Sequence, residues 1–202
     1  MIKGIIFDFD GTILDSVEAR ISAWKAALAD YGADVGEDDI RRDIGIPGSV
    51  LAGKYVKNTY EVEMLQERYF MNRIDSMHLF PDVADTFNIL RKRGVKIAVV
   101  TSTRRIVMDH FTLNADIIVT IDDVKHGKPS TESYEKAISE LCLLKEQTMV
   151  VGDIENDLVP AKKLGCVSVL VKHGRKVSTP YADHVIDEIS DILGLPEVVS
   201  EC

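Results

Sequence analysis

The chain has 202 residues, 46% hydrophobic and 28% charged, which fits a globular protein with a full core, with or without an inserted subdomain, and excludes a disordered chain. A formal net charge of -9 sets the surface against nucleic acid and anionic membranes, and pairs such as Arg104-Arg105 and Lys162-Lys163 are too short to form a basic patch. No apolar run approaches the roughly 18 residues of a membrane span, and the first apolar segment is too short and too acidic for a signal peptide, so a soluble cytoplasmic protein is expected.

The chain opens on Ile2, Ile5, Ile6 and Phe7, a nearly continuous apolar run that predicts a parallel strand covered on both faces. Asp8, Asp10 and Gly11 follow. Residues two apart on a strand project to one side, so both aspartates are expected together at its carboxyl end. That is the edge at which open α/β sheets bind ligands. Two adjacent carboxylates repel, and one takes up a proton unless a cation lies between them, so the pair asks for a metal or a shared proton.

Asp15 is placed as the cap of the next helix, with Glu18 in capping-box register. Val17, Ile21, Trp24, Leu28 and Tyr31 follow at helical spacing and Gly32 ends the run, with Trp24 a packing residue. Residues 38–77 keep a helical pattern: Ile40 and Ile44 mark one short helix, Val50 to Val56 a second and Val62 to Asn72 a third. The breaker cluster Gly45-Ile46-Pro47-Gly48 separates the first two. A crossover between parallel strands needs about a dozen residues, so this longer helical stretch predicts an inserted helical subdomain.

At Pro81 the rhythm changes. Val83, Phe87 and Leu90 predict a core helix closed by Gly94. Strands 96–102, 116–121, 148–153 and 166–171 then alternate with helices 105–113, 131–144 and 156–164, and a strand-helix pair spans 184–193. The fold class is α/β: a doubly wound, Rossmann-like parallel sheet with an inserted helical cap. The expected domains are a core of 1–14 and 80–202 and a cap of 15–79, hinged near 13–17 and 78–81. Cys142, Cys166 and Cys202, widely spaced and without a C-x-x-C, read as reduced, mostly buried thiols.

Three further polar positions fall at the carboxyl ends of strands. Thr101 and Ser102 end Ala98-Val99-Val100, and a hydroxyl there can bond a phosphoryl oxygen or cap a helix. Lys128 lies in His126-Gly127-Lys128-Pro129, just before a helix whose start is set by Pro129 and Ser130, where a cation and a helix amino terminus together make an anion site. The strand Met149-Val150-Val151 runs into Gly152-Asp153, with Asp157 four residues on near the first turn of a helix. Asp153 can join Asp8 around a hard divalent cation, because oxygen ligands suit magnesium; Asp157 is a further ligand or a cap.

With these residues in place the chain resembles the haloacid dehalogenase superfamily of phosphohydrolases. The run Phe7-Asp8-Phe9-Asp10-Gly11-Thr12, then Thr101, Lys128 and Gly152-Asp153 with Asp157, is similar to that family's four motifs. Asp15-Ser16, the helical insert, Gly45-Ile46-Pro47 and Ala182-Asp183-His184-Val185-Ile186 resemble the small-cap subgroup that includes phosphoglycolate phosphatases. The resemblance implies Asp8 as nucleophile and Asp10 as acid and base. It implies Mg2+ held by Asp8, the Asp10 backbone carbonyl and Asp153, with Asp157 in support. Thr101 and Lys128 would hold phosphoryl oxygens, with Gly11, Thr12 and Ser102 lining the same phosphate site.

The substrate so implied is a small phosphorylated metabolite, 2-phosphoglycolate first, in a monomer or homodimer without nucleic-acid or membrane partners. The cap would set specificity through Arg41, Arg42, Lys54 or the turn at Gly45. Thr131 replaces a proline common in the family, and Ile154 replaces a serine or threonine, which removes one hydrogen-bonding side chain. Gly48 and Ser49 stand where sugar-phosphate mutases usually carry an arginine. That disfavours the mutase reading, and Asp10 disfavours 2-haloacid dehalogenation, in which no leaving group needs a proton. A receiver-like phospho-acceptor domain is disfavoured by the insert and by Asp10.

Overall fold

The computed structural model describes residues 1–198. Cys202 lies outside the described residues. Cys166 is buried as expected, but Cys142 is exposed: it sits just past a helix, at φ 55, rather than on the apolar face.

The chain separates into two compact units, one of Met1–Leu14 with the chain from Leu79 onward and the other of Asp15–His78. In the first, six strands form one sheet: β1 (Gly4–Phe7), β2 (Lys96–Val100), β3 (Ile117–Val119), β4 (Thr148–Gly152), β5 (Val167–Val171) and β6 (His184–Ile186). Every pairing is parallel and the order is β3-β2-β1-β4-β5-β6. β1 and β4 have no exposed residue, which is why both read as unbroken apolar runs. From β1 the chain builds outward through β2 and β3, then returns to the other flank of β1 and builds β4 to β6. The order therefore reverses between β1 and β4, and at such a point neighbouring loops diverge and open a crevice at the carboxyl ends.

Four α-helices accompany this sheet: α5 (Val83–Lys92), α6 (Arg105–Met108), α7 (Glu132–Glu140) and α8 (Glu155–Leu164). Tyr134 and Ile138 of α7 join Ile6, Val100, Val119 and Val150 of the sheet in one buried cluster. The helix expected over 105–113 stops at Met108. Beyond it the amides of His110 and Phe111 turn back to carbonyls three residues earlier, and Phe111 packs edge-on against Phe9 at 5.2 Å, so tertiary packing ends the helix. The final helix is a 3-10 turn, Ile189–Gly194, because Asp191 accepts the amides of Asp187 and Glu188 and tightens it. α7 begins after Thr131 as expected, with Ser130 Oγ accepting the Glu132 amide at 3.3 Å, and stops at Glu140, short of the expected Leu144.

The second unit holds α1 (Val17–Asp30), α2 (Glu37–Asp43), α3 (Gly48–Gly53) and α4 (Thr59–Met71). Ile21, Trp24, Leu28, Ile40, Leu51 and Val62 form its core. The expected Asp15 cap is not made: Ser16 takes the cap position, and the Asp15 amide pairs with the His78 carbonyl, joining the two ends of the insert. Gly32, at φ 80, ends α1 as its left-handed terminator. Tyr31, placed on the buried stripe, is exposed at the last turn. Leu79 pairs with Leu14 in an antiparallel bridge and so belongs to the sheet unit. Among the described residues no helix is long and apolar enough to cross a membrane.

Candidate active site

β1 hands over to its loop at Asp8, whose amide still bonds to Val151 of β4 at 2.9 Å. The Phe9 carbonyl then accepts the amides of Thr12, Ile13 and Leu14, a tight turn made possible by Gly11 at φ 77. β4 ends on Gly152, followed by Asp153, and Asp157 stands in the first turn of α8. The glycine is required by that return: a Cβ on Gly152 would lie 2.3 Å from the Asp157 Cβ. The two strands flanking the reversal point thus deliver Asp8, Asp153 and Asp157 to one place, and one carboxylate oxygen from each lies within 4.8 Å of the others.

Lys128 reaches into this cluster from the segment before α7. Its ammonium donates to Asp8 Oδ1 at 2.5 Å and to Asp157 Oδ1 at 2.7 Å, and only 5% of the residue is exposed. Tyr134, from the start of α7, donates to the same Asp157 oxygen at 3.2 Å. Asp157 Oδ2 is buried with no hydrogen-bond donor. Asp153 accepts Thr12 Oγ1 at 3.2 Å and Arg175 Nη1 at 2.8 Å.

Burial dominates the electrostatics. It pushes the Asp8 carboxyl up to about 7, with Asp157 adding repulsion and Lys128 only partly offsetting both. Asp153 is pushed to about 6 by burial and by Asp8, against the opposing Arg175. Asp157 is raised by burial despite Lys128. For Lys128 burial works against the charge, but Asp157 and Asp8 outweigh it and hold the ammonium well above its usual range. Three buried carboxylates, whose burial disfavours their charged forms and one of which keeps an oxygen without a donor among the described residues, match the needs of a divalent cation.

The remaining sequence candidates lie around this centre. Asp10 is half-buried and its carboxylate accepts a hydrogen bond from Thr103 Oγ1. Its side chain is not in the acidic cluster. Thr101 is buried, its Oγ1 accepting the Thr103 amide at 3.0 Å, and Ser102 is exposed. Gly11 contributes a carbonyl, which accepts Arg175 Nη2 at 2.8 Å, and the Thr12 hydroxyl is spent on Asp153 rather than directed at a ligand. Arg41, Arg42 and Lys54 are each engaged in ion pairs of their own unit, with Glu18, Asp39 and Asp43. Ile154 holds the cap position of α8, where it supplies no side-chain hydrogen bond.

Sequence reasoning missed Thr103, Tyr134, His173 and Arg175. The last two follow β5, and the rule that located the others, polar residues just past a strand's carboxyl end, would have found them. Thr103, three residues past β2, falls under the same rule, whereas Tyr134 carries no such signal. It lies inside a helix and reads as a core aromatic.

Residues 5–171 match the family described as Haloacid dehalogenase-like hydrolase. A pyrophosphatase PpaX from Bacillus mycoides is 30% identical over 205 residues, covering 95% of each chain. The crystal structure of a hydrolase from Pseudomonas syringae superposes with a TM-score of 0.85 at 24% identity, over 98% of this chain and 99% of that one. A structure described as a predicted phosphoglycolate phosphatase from Haemophilus somnus gives 0.81 at 23% identity, over 96% and 97%. These two solved structures establish the fold; the sequence matches establish the kinship.

Proposed function

The chain belongs to the haloacid dehalogenase-like hydrolase family, and we propose that within it this enzyme is a magnesium-dependent phosphatase that works through an aspartyl-phosphate. The observation that carries the proposal is the buried Lys128 ammonium bridging Asp8 and Asp157 beside Asp153. Two like charges and a counter-charge around one crevice are what an incoming phosphoryl group needs: a nucleophile, and positive charge against its oxygens.

In this reading an Asp8 carboxylate oxygen attacks phosphorus and the bond to the leaving oxygen breaks, with Asp10 giving that oxygen its proton. Asp10, now ionised, takes a proton from water as the water attacks the phosphorus of the acyl phosphate, which releases inorganic phosphate and restores Asp8. Thr103 fixes the Asp10 carboxyl for both transfers. Lys128 has two carboxylate partners, so it keeps its charge and place while Asp8 is esterified. Asp8, Asp153, Asp157 and the Asp10 main-chain carbonyl are the groups that would hold Mg2+, whose chemistry when bound is to offset the charge of carboxylates and phosphate together. Asp8, pushed up to about 7 by burial, would be ionised in larger part beside any such positive charge, and the carboxylate is the form that attacks.

Among small phosphomonoesters 2-phosphoglycolate stands first, on the resemblance to the small-cap subgroup. Inorganic pyrophosphate is the second reading, favoured by the name of the 30%-identical relative. Phosphate release from a panel holding both, with Mg2+ and then with a chelator, tests the reading. Turnover that needs Mg2+ and vanishes in Asp8→Asn supports it, and undiminished turnover in that variant refutes it. The ratio of kcat/KM for the two substrates decides between them.

A further inference from the structure

We propose that Arg175, backed by His173 of the same turn, is a positioning residue: it locks the Asp153 carboxylate and the Gly11-Thr12 backbone together in the orientation in which Asp153 takes a divalent cation. The inference rests on reading Asp8, Asp153 and Asp157 as a metal site.

The guanidinium is committed on all three nitrogens. Nε donates to the Lys172 carbonyl at 3.0 Å, Nη1 to Asp153 Oδ2 at 2.8 Å and Nη2 to the Gly11 carbonyl at 2.8 Å. An arginine meant for substrate would present its fork outward; here the fork faces the protein. A planar fork spans a carboxylate and a carbonyl with fixed geometry, whereas an ammonium is a rotatable point charge on a flexible stem. The adjoining carbonyl, Thr12, accepts His173 Nε2 at 2.8 Å, and that imidazole lies flat against Phe80, ring centres 3.5 Å apart at 9°. Two successive carbonyls of the loop behind the nucleophile are therefore held by two side chains from the loop after β5.

The backbone of that loop is built for the purpose. His173 stands at φ 47 and Gly174 at φ 73, left-handed values that only glycine adopts freely. The conformation is imposed from outside, by the His173 amide on the Asp187 carbonyl at 2.8 Å and the Gly174 amide on Asp187 Oδ1 at 3.0 Å. The Arg175 amide then closes the turn on Lys172 at 2.9 Å. A non-glycine residue held there points to a requirement for the side chains that the turn presents.

Positioning and charge predict opposite signs. As a mere positive charge beside the site, Arg175 would repel a cation, and its removal would tighten metal binding. As the residue that orients Asp153, its removal weakens binding by about tenfold or more, the effect expected of a partner that orients a ligand. Thermal unfolding of the full chain against Mg2+ concentration measures the affinity without any substrate, and its metal-free baseline reports folding. Arg175→Met should need about tenfold more Mg2+ for the same rise in Tm, with Arg175→Lys between it and wild type. Affinity in Arg175→Met within twofold of wild type, or tighter, overturns the proposal. If Arg175→Met does not unfold cooperatively, Arg175→Lys decides, since it keeps the charge and loses the fork: equality with wild type overturns the proposal, and weaker binding supports it. A wild-type Tm indifferent to Mg2+ overturns the metal reading and this inference with it, whereas a responsive wild type with unchanged variants overturns this inference alone.

Discussion

Asp8→Asn should stabilise the metal-free fold while abolishing turnover. Burial, then Asp157, raise the Asp8 carboxyl from 3.8 to about 7. Between those values the folded state holds a proton that the unfolded state has lost, so this group makes wild-type stability fall as pH rises through the window. At about 1.4 kcal/mol per pH unit, ionised Asp8 costs the folded state about 4 kcal/mol above pH 7 and about 1 kcal/mol at pH 4.5. Asparagine imitates the neutral acid, and Lys128 retains Asp157 at 2.7 Å. The stability of Asp8→Asn relative to wild type should therefore climb by roughly 1–3 kcal/mol between pH 4.5 and pH 8, the range allowing for a proton shared with Asp157. Urea unfolding in a chelator at both pH values measures it, and titrations common to both proteins cancel. A difference that is flat with pH, or that falls, refutes the reasoning.

Lys128→Met leaves Asp8 and Asp157 buried without their counter-charge. It should cost about 3–5 kcal/mol at pH 8, less at pH 5 where the carboxyls accept protons, and urea midpoints at the two pH values check both parts. Gly152→Ala places a Cβ 2.3 Å from the Asp157 Cβ, so the first turn of α8 must move. A loss of about 1–3 kcal/mol is expected, with phosphatase activity falling further than the loss of folded protein explains; a fully active, equally stable variant would sink the account of that turn.

The sheet was legible because its central strands are buried on both faces, and a run such as Met149-Val150-Val151 has no other reading at that length. Asp8, Lys128, Asp153 and Asp157 were legible because a parallel sheet collects whatever follows its strands at one edge. What the others do there, as opposed to where they stand, depends on pairings between distant positions that no local pattern encodes. Arg175 acquires its role from Asp153, 22 positions earlier, and from Gly11, 164 positions earlier. Thr103 acquires its role from Asp10, 93 positions away. The helix after β2 follows its sequence periodicity only as far as Met108, because Phe111 is wanted against Phe9. Asp15 had the right chemistry for a cap, but the helix starts one residue later, with Ser16 at the cap position and the Asp15 amide on the His78 carbonyl across the ends of the insert.

The charges of the site carry a last consequence. Three carboxylates, Asp8, Asp153 and Asp157, face two cations, Lys128 and Arg175, so the formal sum is three negative against two positive, or -1, before Asp10 nearby is counted. Burial, with repulsion between the carboxylates, holds Asp8 near 7 and Asp153 near 6, so in the folded protein part of that deficit is met by protons. A divalent cation supplies positive charge in their place and must displace those protons, because ligands bind metal in their deprotonated form. At pH 6.5, groups of pKa about 7 and about 6 together hold about one proton. Saturating weakly buffered protein with Mg2+ at that pH should release about one proton per chain, and at pH 8.5 nearly none. An indicator dye reads the release directly. Mg2+ binding without proton release at pH 6.5 would mean that the cation does not bind at these carboxylates, and the charge argument for the site would fall with it.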